Sequence, residues 1–280
     1  MKRKVWKTLA LVVALALTAG LIWMGEGLVG NPICKHLAET AAQERLETVY
    51  AGTDFQIDRV GYSFKDSGYY AHVKSPTSLD SDFTIAFDHW GRFRWDSYED
   101  RVLTRENVAR RIEQEYFDLA KTVFSQLDSY DREGIQHGKL ETGLGIDIEA
   151  GYCRPYTLPY EDLELDRVYD VGALGAQHGT LVYYVELDTE DITVERAAQL
   201  LLELRQVMDQ AGVGFRAVDL VLQEPLPEDG PRRGPEIGVE AFPYEDIYEE
   251  GLPERIAQAD AQLKQKYAEM DQQKELPEAR

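Results

Sequence analysis

An uncharged apolar run near the amino terminus constrains this chain more than any other stretch. Residues 8–25 contain no charged side chain, and a helix of that length reaches roughly 27 Å, close to the ~30 Å hydrocarbon core of a bilayer. Trp6 and Trp23 flank the run, as indole rings do at membrane interfaces. The basic residues before it are Lys2, Arg3, Lys4 and Lys7. We therefore predict a single-pass anchor in the cell membrane, with the amino terminus cytoplasmic and the C-terminal region outside.

A cleaved signal peptide is the alternative, because it also begins with a basic segment followed by an apolar one. The small-residue site inside the run is Ala14-Leu15-Ala16. Cleavage there would leave a mature chain that begins with the mostly apolar residues 17–23. Such a terminus is unusual for a soluble protein, so the sequence favours an uncleaved anchor.

Acidic residues dominate the charge of the chain. The sequence has 51 acidic and 30 basic residues and a net charge of −21. Since four basic residues precede the predicted anchor, 26 remain against the 51 acids beyond it. Such a surface repels nucleic acid and anionic lipid and attracts cations or basic partners. We expect no nucleic-acid partner.

The two cysteines, Cys34 and Cys153, are too few for a disulfide framework and lack the spacing of a zinc site. We predict free thiols, with a single bridge between the two as the alternative.

The first folded region begins directly after the predicted anchor. Gly30-Asn31-Pro32 is typical of one helix ending and another starting. Residues 54–98 then read as four short strands with tight turns. A change of parity between Ile57 and Val60 indicates a bulge, and Phe93 and Trp95 are predicted to line the apolar face of the fourth strand. A helix and a meander that share one apolar face predict a small α+β unit.

Four segments share a pattern: Gly30-Asn31-Pro32-Ile33 after an anchor, and residues 60–65, 70–75 and 96–101. Together they resemble the N-terminal domain of the YfjL-like family. The resemblance is clearest over residues 28–127. Family members are small membrane-anchored bacterial proteins of uncharacterised function. The resemblance implies an anchor and a two-part extracytoplasmic region, and it carries over no catalytic residues.

The rest of the chain alternates helices and strands. We predict a helix capped by Thr104, a second over 193–211 ended by Gly212, and a third from Pro253. Strands are predicted at 140–148, 165–171, 180–187, 214–223 and 236–242, with the glycine-bearing stretch 172–179 as a linker that holds His178 in a turn. The final helix has two alternatives, packing on its own domain or on a second copy of the chain.

The predicted fold class is therefore α+β, with an N-terminal transmembrane helix and two small subdomains, each of helices packed on an antiparallel sheet. Residues 1–27 form the cytoplasmic tip and anchor, 28–100 the first subdomain, 101–275 the second, and 276–280 a tail.

A basic strip stands out on the predicted meander of an otherwise acidic protein. Its residues, opposite the apolar face, are Tyr70, His72, Lys74, Arg92 and Arg94. They form a candidate interaction surface for an anionic ligand or acidic partner. The alternative, which the residues favour, is a cross-strand ladder of ion pairs with Asp88 and Asp96.

Pro-Tyr-Glu-Asp occurs twice, starting at Pro159 and at Pro243. Two cation- or partner-binding loops are one interpretation. Neither copy has the oxygen spacing of a calcium loop, so a solvated acidic turn is favoured.

No catalytic, metal or nucleotide motif is recognisable, and we predict no catalytic residue, metal ligand or cofactor. The sequence favours a binding, assembly or regulatory module of the cell envelope with an unidentified protein or small-ligand partner. The alternative is an envelope hydrolase of an unrecognised class that uses acidic residues.

Overall fold

A computed structural model describes residues 13, 25, 30–127, 136–143, 156–227 and 234–275. The chain divides into two compact units, and each is described by itself. The first contains residues 1–108 and a short later segment, Glu164–Asp166; the second contains residues 109–163 and 167–280.

Across the described residues, no helix is both long and apolar enough to cross a bilayer. The predicted anchor, residues 8–25, lies outside them except for Val13 and Gly25. The anchor therefore stays a prediction.

The first unit opens with helix α1, Pro32–Thr48, which starts at the predicted motif. Asn31 caps it, because its side-chain oxygen accepts a hydrogen bond from the Ile33 N–H at 2.8 Å. Gly30 has a φ of +83°, and a Cβ there would lie 2.7 Å from the Tyr62 ring. Only glycine meets both demands, so local sequence fixes where this helix begins.

The first sheet is the predicted meander. Its strands are β1 Gln56–Ser63, β2 Gly68–Lys74, β3 Asp82–Phe87 and β4 Phe93–Asp96, paired antiparallel in that order. The predicted bulge is confirmed as a register shift between Ile57 and Arg59.

The core of the first unit lies between α1 and this sheet. Ala38, Ala42 and Leu46 of α1 are buried against strand residues. Four aromatic rings close the core, with every pair of centroids 5.0–5.9 Å apart. They belong to Tyr50, Phe55, Phe83 and Tyr98. Such contacts add to the ~1.5–3 kcal/mol that burial of one large apolar side chain contributes.

The later segment joins the first unit through Asp166. One of its side-chain oxygens accepts from the Leu79 N–H at 2.6 Å and from the Ser78 hydroxyl at 2.7 Å. In return the Asp166 N–H donates to the fully buried carboxylate of Asp80 at 2.8 Å.

Helix α2, Glu106–Phe124, begins later than predicted. Thr104 is not its N-cap, because it closes a short π-helix, Glu99–Leu103. Arg105, with a φ of +67°, separates the two helices.

The second unit contains a four-stranded sheet. Its strands are β5 Gln136–Leu140, β8 Gly179–Glu186, β9 Ala217–Gln223 and β10 Glu236–Pro243, in the order β10-β9-β8-β5. Two short strands, β6 Thr142–Gly143 and β7 Leu158–Pro159, form a separate parallel pair. The prediction of an antiparallel sheet is wrong for one junction, since β8 and β9 are parallel. A crossover helix between them, Val194–Ala211, makes that direction possible.

The strand predicted over 165–171 is wrong, because residues 165–170 form no strand and helix α3, Val171–His178, begins at its last residue. The linker predicted over 172–179 is wrong too, because α3 occupies it. Asp170 caps α3 by accepting from the Ala173 N–H at 3.0 Å. A Cβ at Gly175 would lie 2.1 Å from the Gly214 carbonyl oxygen. The glycines of this stretch therefore permit close packing rather than a loose linker.

Helix α4, Val194–Ala211, ends at Gly212 as predicted, with a φ of +67°. The last helix, α5, is Leu252–Glu275. Its first turns pack within their own unit, where Leu252 and Ile256 are fully buried. Further along, Tyr267 and Met270 are 52% and 42% exposed.

Candidate interaction surface

The sheet of the first unit has one face that points away from α1. We call it the outer face and define it by Arg59, Tyr70, His72, Thr84 and Trp95. Register places them together: His72 pairs with Arg59 and with Thr84, while Ala86 pairs with both Tyr70 and Trp95. Directly paired residues project from the same side of a sheet.

Tyr70 and Arg94 meet at the turn between β1 and β2. The Tyr70 hydroxyl donates to the Asp66 carboxylate at 2.9 Å, and the Arg94 guanidinium donates to the Asp66 carbonyl at 3.2 Å. Burial, and then the bond to Asp66, raise the pKa of Tyr70. One acidic residue thus holds two members of the predicted strip in place.

His72 and Lys74 lie further along β2. His72 is half-buried, and its Nδ1 is 3.3 Å from the Thr84 hydroxyl. Burial and then the charge of Arg59 lower the pKa of His72, so the ring is held in its neutral form. The exposed Lys74 amine pairs with the Asp58 carboxylate.

Arg92 completes the predicted strip from the turn between β3 and β4. Its N–H donates to an Asp88 side-chain oxygen at 2.9 Å, and its side chain is exposed. The predicted ladder with Asp88 and Asp96 is wrong in its partners. Asp88 caps the turn, and Asp96 pairs with Arg45 of α1 at 2.7 Å.

Trp95 belongs to the outer face, although its pattern predicted the apolar face. A register shift pairs Phe87 with Phe93 and Ala86 with Trp95, so the two aromatic residues of β4 take opposite sides. Phe93 lies under the Arg45 guanidinium at 3.6 Å. Trp95 is 47% exposed, with its ring centroid 6.0 Å from that of Tyr70. Strict alternation could not reveal Trp95, because β4 has a bulge.

The two Pro-Tyr-Glu-Asp copies adopt the same local structure in the second unit. Each ends a strand at its proline and continues as a 3-10 turn, Tyr160–Asp162 or Tyr244–Asp246. The residue after each turn, Leu163 or Ile247, is buried. No group of three potential metal-ligating side chains occurs where the structure describes the chain. The repeated turn thus has a packing role, because it places a buried residue directly after it.

A pair of carboxylates in the second unit is the strongest candidate for acid–base chemistry. Burial, opposed by the Thr142 hydroxyl and reinforced by the charge of Glu141, raises the pKa of Glu113. Glu113 accepts a hydrogen bond from Thr142, and the buried Glu141 pairs with Lys139 at 3.2 Å. Both carboxylates are thus engaged by neighbouring side chains.

The remaining candidates from the sequence are His178 and the two cysteines. His178 ends α3 rather than lying in a turn, and its Nδ1 is 2.6 Å from the Tyr156 carbonyl oxygen. Cys34 is a free cysteine, whereas Cys153 is outside the described residues.

Comparison with known proteins returns a family but no individual relative. Residues 4–97 match the model of the YfjL-like N-terminal domain, and residues 140–257 match that of the YfjL-like C-terminal domain. Neither a curated protein nor a solved structure matches the chain. The resemblance seen in the first subdomain is confirmed and extends to the second. The chain belongs to the YfjL-like family, whose function is uncharacterised.

Proposed function

We propose that this protein is a membrane-anchored, extracytoplasmic binding module of the cell envelope. Residues 8–25 hold it in the membrane with its amino terminus in the cytoplasm, and the outer face of the first sheet binds a protein or small-ligand partner. The observation that carries the proposal is the exposed Trp95 beside Tyr70 on a rigid sheet.

The chemistry of the outer face supports binding. Tryptophan, tyrosine and arginine contribute most of the energy at protein interfaces, because they combine a large apolar area with directed polar groups. Trp95 and Tyr70 supply the apolar area, the exposed Arg94 lies beside Tyr70, and the exposed Arg59 lies beside His72 on the same face. The sheet fixes all four without the ordering cost that a mobile loop imposes on binding.

Charge indicates the kind of partner. The chain carries a net charge of −21, whereas the outer face sets Lys74 and two arginines against its nearby carboxylates, so this face is less acidic than the protein as a whole. An acidic or otherwise anionic group would be attracted to this face and repelled elsewhere. Asp58 and Asp66 already hold Lys74 and Arg94, so the partner must compete with these contacts or use the remaining donors.

Site-specific photocrosslinking from position 95 of the full chain in intact cells tests the proposal. We expect a discrete adduct from position 95 and none from position 267, since Tyr267 is similarly exposed, at 52% against 47%, but lies on α5. Adding Arg59→Glu and Arg94→Glu should remove the adduct. Identical adducts from both positions would contradict binding at the outer face.

Charge reversal of the rest of the strip is an independent test. Lys74→Glu with Arg92→Glu should weaken the crosslink from position 95 if the strip attracts an anionic partner. If every adduct persists at full yield, the strip has no docking role and its charges serve only local pairing.

The hydrolase alternative depends on Glu113 and Glu141. A raised carboxyl pKa beside a second carboxylate is typical of glycoside and other acid–base hydrolases. Here Thr142 and Lys139 already satisfy the two groups. The contacts favour a structural role for both carboxylates.

A further inference from the structure

One end of the first sheet collects exposed apolar side chains around the start of the folded chain. The β1–β2 turn, residues 64–67, and the β3–β4 turn, residues 88–92, lie at this end because the strands form a meander. The start of α1 lies there too, since the Asn31 N–H donates to the hydroxyl of Tyr69 near the beginning of β2. We call this the tether end, and the end with residues 50–55 and 75–81 the far end.

The tether end exposes large apolar residues from three separate segments. Phe64 is 60% exposed, Trp90 is 63% exposed, and Ile33 of α1 is 71% exposed. The second turn packs on α1, because a Cβ on Gly91 would lie 2.9 Å from the Leu37 carbonyl oxygen. Leu37, four residues after Ile33 on the same helix face, is 39% exposed.

The two ends of the sheet also differ in charge. The turns of the tether end contain Lys65, His89 and Arg92 beside Asp66 and Asp88. The far-end segments, 50–55 and 75–81, contain acidic residues and no basic one. The protein as a whole repels anionic surfaces. At the tether end the basic side chains balance the acidic ones, so this repulsion is locally cancelled.

We propose that the tether end rests on the bilayer, with Phe64, Trp90 and Ile33 in the interfacial region and Lys65 and Arg92 facing anionic phospholipid headgroups. This inference rests on the proposed membrane anchoring. The predicted span ends at residue 25, and five residue steps to Gly30 reach roughly 18 Å at most. Trp and basic residues favour that interfacial layer, and partial insertion of apolar side chains strengthens binding.

Depth-dependent quenching on the full chain tests this contact. Both native cysteines are replaced by serine, and a bimane fluorophore is attached to Phe64→Cys, Trp90→Cys or Leu79→Cys. Leu79 is the matched control, because it is 62% exposed but belongs to the far end. The proteins are inserted into phosphatidylcholine–phosphatidylglycerol vesicles that contain a phospholipid with a nitroxide at a shallow acyl position.

We expect a blue shift and severalfold greater quenching at positions 64 and 90 than at position 79. Lys65→Glu, which leaves the strip residue Arg92 intact, should reduce the quenching at position 90 and leave position 79 unchanged. Equal quenching at all three positions overturns the inference. A blue shift without quenching also overturns it, since that result indicates a protein contact such as a second copy.

Flotation of the same vesicles separates this inference from the proposed function. A chain that floats with the vesicles but shows no quenching at positions 64 and 90 retains the anchor and loses the bilayer contact. A chain that fails to float overturns the anchor, and the bilayer contact fails with it.

Discussion

A single phenol hydroxyl fixes the start of the folded chain. The Tyr69 hydroxyl accepts from the Asn31 N–H at 2.7 Å and donates to the Asn31 carbonyl at 3.1 Å, and Tyr69 is 2% exposed. Burial is the main cause of its raised pKa. The hydroxyl therefore stays protonated and keeps its donor role well above neutral pH.

Tyr69→Phe should destabilise the first unit by about 1 kcal/mol, because it removes both bonds of the hydroxyl, although the Asn31 carbonyl keeps its hydrogen bond from the Lys35 N–H at 2.9 Å. Urea unfolding of the detergent-solubilised chain, followed by circular dichroism, measures the change. Tyr267→Phe on α5 is the control and should have little effect, since Tyr267 is exposed. Equal stability of the two variants would mean that the two hydrogen bonds of the Tyr69 hydroxyl contribute nothing to the free energy of unfolding.

Glu113 makes stability depend on pH in a predictable direction. Its folded pKa is raised, chiefly by burial, so the folded state binds the proton more tightly than the unfolded state. Its stabilising contribution is fully present below the unfolded pKa of about 4.3 and is lost as pH rises through the folded pKa. At neutral pH the ionised carboxylate is therefore a cost to the fold.

Glu113→Gln should consequently raise the stability of the second unit at pH 7 and change it less at pH 4. Unfolding curves at the two pH values test this. Glu115→Gln is the control, because Glu115 lies on the same helix and is 43% exposed. A loss of stability at pH 7 would instead show that the ionised carboxylate and its hydrogen bond from Thr142 stabilise the fold.

At the residue scale, the sequence predicts the roles of residues that act on others nearby in the chain. Gly30, Asn31 and Pro32 act within a few positions of one another, so their roles are readable. The pairing of Arg45 with Asp96 joins residues 51 positions apart, and no local pattern encodes it. Strict alternation assigns Trp95 to the wrong face of the sheet, because one bulge changes which side of the strand each following residue takes.

Helix α3 shows how an element can be stabilised by packing rather than by propensity. Gly175 brings α3 against the Gly214 carbonyl and the Tyr116 ring, where a Cβ would lie at 2.1 and 2.4 Å. The Tyr116 hydroxyl donates to that same carbonyl at 2.9 Å. A side chain at position 175 would therefore collide with both partners of this hydrogen bond.

Gly175→Ala should therefore destabilise the second unit by about 1–3 kcal/mol or more, since the nearest obstacle is backbone. Gly61→Ala is the matched control, because a Cβ on Gly61 meets nothing within 4 Å. The midpoints of thermal unfolding compare the two. If Gly175→Ala is tolerated as well as Gly61→Ala, α3 can move away from Gly214 at little cost.

At the element scale, periodic segments were predicted well and glycine-rich ones were not. The stripe of α4 and its stop at Gly212 follow from spacing and backbone freedom alone. The stretch of α3 contains two glycines, Gly172 and Gly175, and a third, Gly179, follows it at the start of β8, so its composition is typical of a linker. The parallel pairing of β8 with β9 depends on where α4 returns the chain, which composition does not encode.

On the scale of the whole molecule, the anchor and its orientation are the claims with the widest consequences. In a background with both native cysteines replaced, Tyr267→Cys should react with a membrane-impermeant maleimide in intact cells. Lys4→Cys should react only after the membrane is permeabilised, because it precedes the predicted span on the cytoplasmic side.

The reverse pattern of labelling would place the acidic bulk of the chain in the cytoplasm and remove the basis of the envelope proposal. Deleting residues 1–27 supplies a further control. The shortened chain should leave the membrane fraction if residues 8–25 are what hold it there.

The two hydrogen bonds between the Tyr69 hydroxyl and Asn31 also determine where a mechanical load would enter the sheet. Tyr69 lies on β2, which has hydrogen-bonded neighbours on both sides, β1 and β3. Tension applied through the amino-terminal segment would therefore enter the sheet at an interior strand and be shared between two ladders. An attachment to an edge strand would let the same force peel the sheet open one bond at a time. Load that entered through this contact would thus be spread across the sheet.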